Sequence, residues 1–164
     1  MATGTILIPV QSIKIGGSFI TAGARIEGGA GLWKALLAAG STEQFLSQFE
    51  IPENFASALV AKKKYAMASA NSGKVDLETE VMAIADGEDI DTASFDSVNE
   101  KSGGTTVPGT AGFRDTIEQA LVNDDSITAE ETCILRESRD HDDADDTATG
   151  DLELIGYVAE YATT

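Results

Sequence analysis

Hydrophobic and polar positions alternate with a period of two along much of the chain. In "EQFLSQFEI", Phe45, Ser47, Phe49 and Ile51 share one face, the pattern of a half-buried strand rather than a helix. "SALVAKKKYAMASA" continues it, with Leu59, Ala61, Tyr65 and Met67 on one side and Lys62 and Lys64 on the other. After a turn at Ser72–Gly73, "KVDLETEVMAIA" sets Val75, Leu77, Val81 and Ala83 against Asp76, Glu78 and Glu80. These two runs predict a hairpin with one buried face.

Further along, "FRDTIEQALV" alternates weakly and "TCILRES" has an apolar centre. "LELIGYVAEY" reads as a long strand buried on much of both faces. With "TILIPVQSIKI" and "GARIE" at the front, the total comes to about eight strands, in the range of a two-sheet jelly roll. Pro9, inside the first run, marks an edge strand or a bend. Only "GLWKALLAAG" (Gly31 to Gly40) and "IEQALVND" have helical potential, the first short and bracketed by glycines. No long amphipathic helices alternate with strands, which argues against a parallel α/β sheet. The expected fold is therefore mainly β: a single-domain antiparallel β-sandwich, jelly-roll-like, with at most one or two short helices.

One domain is expected over residues 1–164, with 1–15 as a candidate N-terminal edge strand or contact arm. The polar stretch from Asp86 to Gly112 is too long for a simple turn, and loops of that size are usually functional or mobile. Within it, "VPGT" predicts a type II turn with Pro108 leading and Gly109 at the positive-φ position.

Charge narrows the partners. The 28 Asp and Glu outnumber 11 Lys and Arg, for a formal charge of -17. Such a surface repels phosphate backbones and anionic membranes, so neither nucleic acid nor a membrane is an expected partner. A protein with a basic face fits better. Cys133 is the single cysteine, which leaves no intrachain disulfide and no Cys-based zinc site. The opening "MATGTILIPVQSIKIGG" lacks a basic segment followed by an apolar core, so it is not expected to act as a secretory signal.

The run Asp140–Asp146 holds five aspartates and the chain's one histidine. It is not an EF-hand: counted from Asp143, Ala148 stands at the glycine position and Leu154 at the glutamate position, and the flanks read as strands. A looser calcium site drawn from Asp140, Asp142, Asp143, Asp145 and Asp146 stands beside the plainer reading of a solvated turn. No cofactor is expected. "EGGAGLWK" lacks the third glycine of a dinucleotide fingerprint and the Gly-Lys-Ser/Thr of a P-loop. No catalytic residue stands out: there is no GxSxG, and a His-based centre would rest on His141 alone. Trp33, Tyr65, Tyr157 and Tyr161 are few for sugar stacking and are expected in the core or at an interface. The uncharged run Ile6, Leu7, Ile8 and Val10 is a candidate contact with a neighbouring subunit or a larger partner, or equally the first core strand. In "KKKY" Lys62 and Lys64 share one face while Lys63 turns to the other; the three lysines are expected to pair with neighbouring carboxylates, and Lys62 and Lys64 are interface candidates.

The order "FEIPENFASALVAKKKYAMASANSGKVDLETEVMAI", "DIDTASFDSVN", "TVPGTAGF" and "LRESRDHDDADDTATGDLELIGYVAEY" resembles small β-sandwich virion structural proteins of tailed phages, over roughly Ile6 to Thr164. Its most specific part is Arg139, the acidic loop, "TATGD" and the final aromatic-ended strand. The resemblance implies a non-enzymatic capsid cement or decoration protein. Such a jelly-roll subunit, commonly a homotrimer, binds the outside of the major capsid protein shell after assembly in the bacterial cytoplasm. It transfers no active site. A head-fibre or tail adhesin that binds carbohydrate is the alternative it leaves open.

Overall fold

The computed structural model describes residues 2–8 and 34–164. Val10, Pro9, "GARIE", Trp33 and the glycine run before Lys34 lie outside the described residues. Within them the chain is all β: β1 (Thr3–Ile8), β2 (Ala35–Leu37), β3 (Gln44–Glu50), β4 (Phe55–Met67), β5 (Lys74–Val75), β6 (Leu77–Ile84), β7 (Thr105–Thr106), β8 (Asp115–Ala120), β9 (Thr132–Arg139) and β10 (Leu152–Thr163). All described pairings are antiparallel. One sheet runs β1-β10-β4-β8, with β2 also on β10; a second runs β3-β9-β6, and β5 with β7 forms a short ribbon. The two larger sheets face each other as a β-sandwich.

The period-two pattern places the core. Leu59, Ala61, Tyr65 and Met67 of β4 are buried, as are Leu152, Leu154, Tyr157, Ala159 and Tyr161 of β10. They meet Phe45, Val81, Cys133 and Leu135 from the second sheet. Phe45 packs edge-on against Tyr157 across the gap, with ring centroids 5.9 Å apart. The final strand is long because it is central. It pairs with β1 over Thr3–Ile8, with β2 over Leu152–Leu154, and with β4 along its other side.

Three sequence expectations are corrected. β4 and β6 do not form a hairpin: they belong to different sheets, and the chain crosses the sandwich between them. The crossing is fixed by Gly73 at φ 93° and by β5, which pairs with β7 instead of continuing β4. The helical candidates contain strands, β2 and β8, and no helix in their described parts. Ala35 and Leu37 point inward from β2, while Ile117, Gln119 and Leu121 point inward at and just beyond β8. Alternation outweighed helix propensity because both segments add a pairing edge to the first sheet. Finally, Gly109 does not take a positive φ. The reversal comes at Gly112 (φ 78°), whose N–H bonds Met67 O at 2.8 Å. The 86–112 stretch is also anchored midway. Asn99 exchanges backbone hydrogen bonds with Thr79, and its side chain bonds Thr79 O and Asn123 O.

β1 is held by close packing on β10. A Cβ on Gly4 would lie 2.1 Å from Tyr161 Cζ, and that ring is fixed by its hydroxyl donating to Asn54 Oδ1 at 2.9 Å. Gly4→Ala is expected to cost about 1–3 kcal/mol in urea unfolding. Gly40→Ala, where a Cβ meets nothing within 4 Å, should stay within about 0.5 kcal/mol.

Candidate functional site

The chain's most concentrated polar chemistry lies between the two sheets. Lys63 falls between Lys62 and Lys64 on β4, so it turns to the face that carries Ala61 and Tyr65, and it is fully buried. Its Nζ donates to Glu137 Oε1 on β9, to Gln119 Oε1 on β8, and to Thr79 Oγ1 on β6 at 2.7 Å. Thr79 Oγ1 lies 2.8 Å from Gln119 Oε1 and 3.0 Å from Glu137 Oε2, so its single proton serves one of them at a time. Gln119 Nε2 donates to Asn99 O and, at 3.4 Å, to Leu77 O. Glu137 and Thr79 are fully buried, and Gln119 nearly so. Burial lowers the Lys63 pKa and raises that of Glu137, while each charge opposes the other's shift.

A second buried ion pair organises the aspartate run. Arg139, also fully buried, makes a fork with Asp146: Nε to Oδ2 and Nη2 to Oδ1, both 2.7 Å. Its remaining donors reach Ala148 O at 2.6 Å and Gly150 O at 2.8 Å. The loop is further laced to β5 and to Asp76, the residue just before β6. Thr147 N and Ala148 N bond Lys74 O, Asp140 N bonds Asp76 O, and Asp76 N bonds Asp146 Oδ2. Asp140 and Asp143 accept the backbone N–H groups of Asp142 and Asp145, the local turns this residue type favours.

Several of the calcium candidates have other surroundings within the chain. Asp146 is bound to Arg139, Asp145 lies 3.8 Å from Lys74 Nζ, and the Asp142 side chain is largely exposed beside His141. Among the described residues no three His, Cys, Asp or Glu side chains come together as a metal site. One carboxyl does sit awkwardly. Asp76 is buried with its Oδ1 lacking a hydrogen-bond partner, and desolvation, then Asp143, Glu100, Glu78 and Asp140, push its pKa up to about 6.

The interface candidates fall in different places. Ile8 is in the core and Ile6 packs partly against it, whereas Leu7 is 77% exposed. Lys62 is paired within the chain, to Glu160 at 2.8 Å and Glu118 at 3.4 Å. Lys64 donates to Thr116 Oγ1 at 3.2 Å. The three tyrosines are buried, as expected for core residues. What sequence reading passed over is Lys63, Glu137, Gln119 and Thr79 as one cluster. Their shared inward parity was the available signal.

No protein-family model matches the sequence, and no curated protein matches it. Solved structures do resemble the fold. A CBM35 from Cellvibrio japonicus Abf62 aligns with TM-score 0.50 and 11% identity, over 98% of this chain and 95% of that one. Chains of infectious bursal disease virus also align. The Gx strain gives TM-score 0.45 and 10% identity over 99% of this chain and 32% of that one. The Gt strain gives 0.33 and 14% over 94% and 38%. The first of these supports the β-sandwich fold and nothing finer.

Two measurements test this electrostatic picture. Arg139→Met leaves Asp146 without its buried partner and is expected to cost roughly 3–5 kcal/mol in chemical denaturation. For Asp76, the folded pKa lies above the unfolded carboxylate value, so the protonated form is the one folding favours. Its stabilising contribution is full below the unfolded value and is lost as pH rises through about 6. Asp76→Asn should therefore be more stable than the native chain at pH 8, with the difference shrinking as pH falls to 4.

Proposed function

We propose that this chain is a non-enzymatic structural protein of a tailed-phage virion, a cement or decoration subunit seated on the outside of the major capsid protein shell. The observation that carries the reading is β1. It is an uncharged strand at the rim of its sheet, no described strand pairs its outer edge, and it holds Leu7 out in solvent. An apolar, chargeless rim is a ready contact for a partner strand or groove.

The rest of the molecule suits that role. Its buried charges hold sheet to sheet and loop to strand, which favours a rigid module whose surface does the work. The outer surface is predominantly acidic, which suits a capsid face rich in Lys and Arg. Burial raises the Cys133 thiol pKa, the opposite of what a nucleophile needs. A homotrimer formed in the host cytoplasm before docking belongs to the same proposal, as the resemblance implies. The carbohydrate-binding alternative loses its tyrosine platforms, because Tyr65, Tyr157 and Tyr161 are all buried.

Co-sedimentation with shells assembled from the major capsid protein of the same virus tests the proposal. The native protein should pellet with the shells. Leu7→Asp should bind roughly tenfold more weakly or worse, while its own stability stays within about 0.5 kcal/mol. Binding to a cell-surface polysaccharide with no retention by shells would overturn the reading.

A further inference from the structure

The cluster around Lys63 holds one amine in contact with both a carboxamide and a carboxyl group, with the Thr79 hydroxyl between those two, shut away from water. Lys63 and Gln119 stand on adjacent strands. The β4–β8 register pairs Lys63 with Ile117 and Ala61 with Gln119, so the two side chains are diagonal neighbours on the inner face, within reach for long residues. Glu137 approaches from the facing sheet, directly opposite Thr79 in the β6–β9 ladder.

We propose that Lys63 and Gln119 join spontaneously in the folded chain: Lys63 Nζ bonds to Gln119 Cδ to form an internal amide, Glu137 carries the proton, and one ammonia leaves. The reaction starts with transfer of a proton from the Lys63 ammonium to the Glu137 carboxylate, which burial favours because it removes two charges from a low-dielectric interior. The Nζ lone pair then attacks Cδ. Thr79 Oγ1, 2.8 Å from Gln119 Oε1, can donate to the oxygen on which negative charge develops.

As the Cδ–Nε2 bond breaks, Glu137 relays a proton from Nζ to the departing nitrogen, and ammonia is released. Asn99 O and Leu77 O, which accept from Gln119 Nε2, hold that nitrogen on the leaving side. Amine plus primary amide gives secondary amide plus ammonia. The balance needs no oxidant, metal or activated donor. A desolvated lysine amine is a competent nucleophile, and fixed contact within one folded chain supplies the effective concentration that free groups lack. The product staples β4 to β8 in the sheet that carries the proposed capsid contact, without depending on that proposal.

Intact-mass measurement of the full-length protein under denaturing conditions, followed by proteolytic mapping, decides the matter. The expected mass is lower than that of the sequence by one ammonia, with a branched peptide joining the Lys63 and Gln119 segments. Glu137→Gln and Lys63→Met should each restore the unreacted mass. An unreduced mass for the native protein, with Lys63 and Gln119 recovered in separate unmodified peptides, overturns the proposal whether or not the variants fold. Loss of ammonia mapped to an asparagine imide overturns it too, as does loss of water with a branch from Lys63 to Glu137.

Discussion

A lysine cannot leave the core side of a regular strand without changing the register of every neighbour. Lys63 sits where the alternation of β4 demands an inward side chain, between Ala61 and Tyr65. Its buried amine therefore dictates what must face it. Glu137 supplies the countercharge, while Gln119 and Thr79 supply oxygen acceptors. These four residues come from four strands and both main sheets, so the polar knot fixes register and sheet-to-sheet alignment together. Buried ion pairs seldom add net stability over a well-packed apolar pair, but removing one partner is costly. Here the pair acts as a specification: other registers would strand a charge in the core.

The second buried pair extends the same logic to the loop. On β9, Glu137 and Arg139 share the inward face two residues apart, one tied to the facing sheet and the other to the acidic run that follows. Asp146 is thus a structural partner of Arg139. The aspartates around it are shared among backbone N–H groups, a lysine and solvent. The loop is a laced connection between the two sheets. The remaining strain falls on Asp76, buried beside carboxylates with one oxygen unpaired.

The sandwich itself was legible, because β3, β4, β6 and β10 state their inner faces in plain alternation. What was hidden has two physical causes. Hydrophobic patterning assigns charged residues to solvent, so Lys63, Glu137 and Arg139 broke the rule that identified their strands; only their parity gave them away. Pairing partners are the second cause. Alternation shows that β4 and β6 are strands, but not that the chain crosses between sheets after Gly73. The same blindness to partners made "IEQALVND" look helical, since Gln119 interrupts an otherwise apolar inner face. Surface contacts are less legible still. Ile6, Leu7 and Ile8 look alike in sequence, yet Ile8 is core and Leu7 is in solvent.

A sandwich tied together by buried polar groups, with an uncharged rim turned outward, fits the proposed structural role. Its most direct test is a double-mutant cycle on the knot in a Gln119→Met background, which cannot form the proposed amide, with Lys63→Met, Glu137→Leu and the pair together measured by denaturant unfolding. Strong coupling, about 1.5 kcal/mol or more, with the double variant regaining much of what the singles lose, is the predicted result. Losses that add within about 0.5 kcal/mol would contradict it, and would mean that the two sheets find their register without the pair.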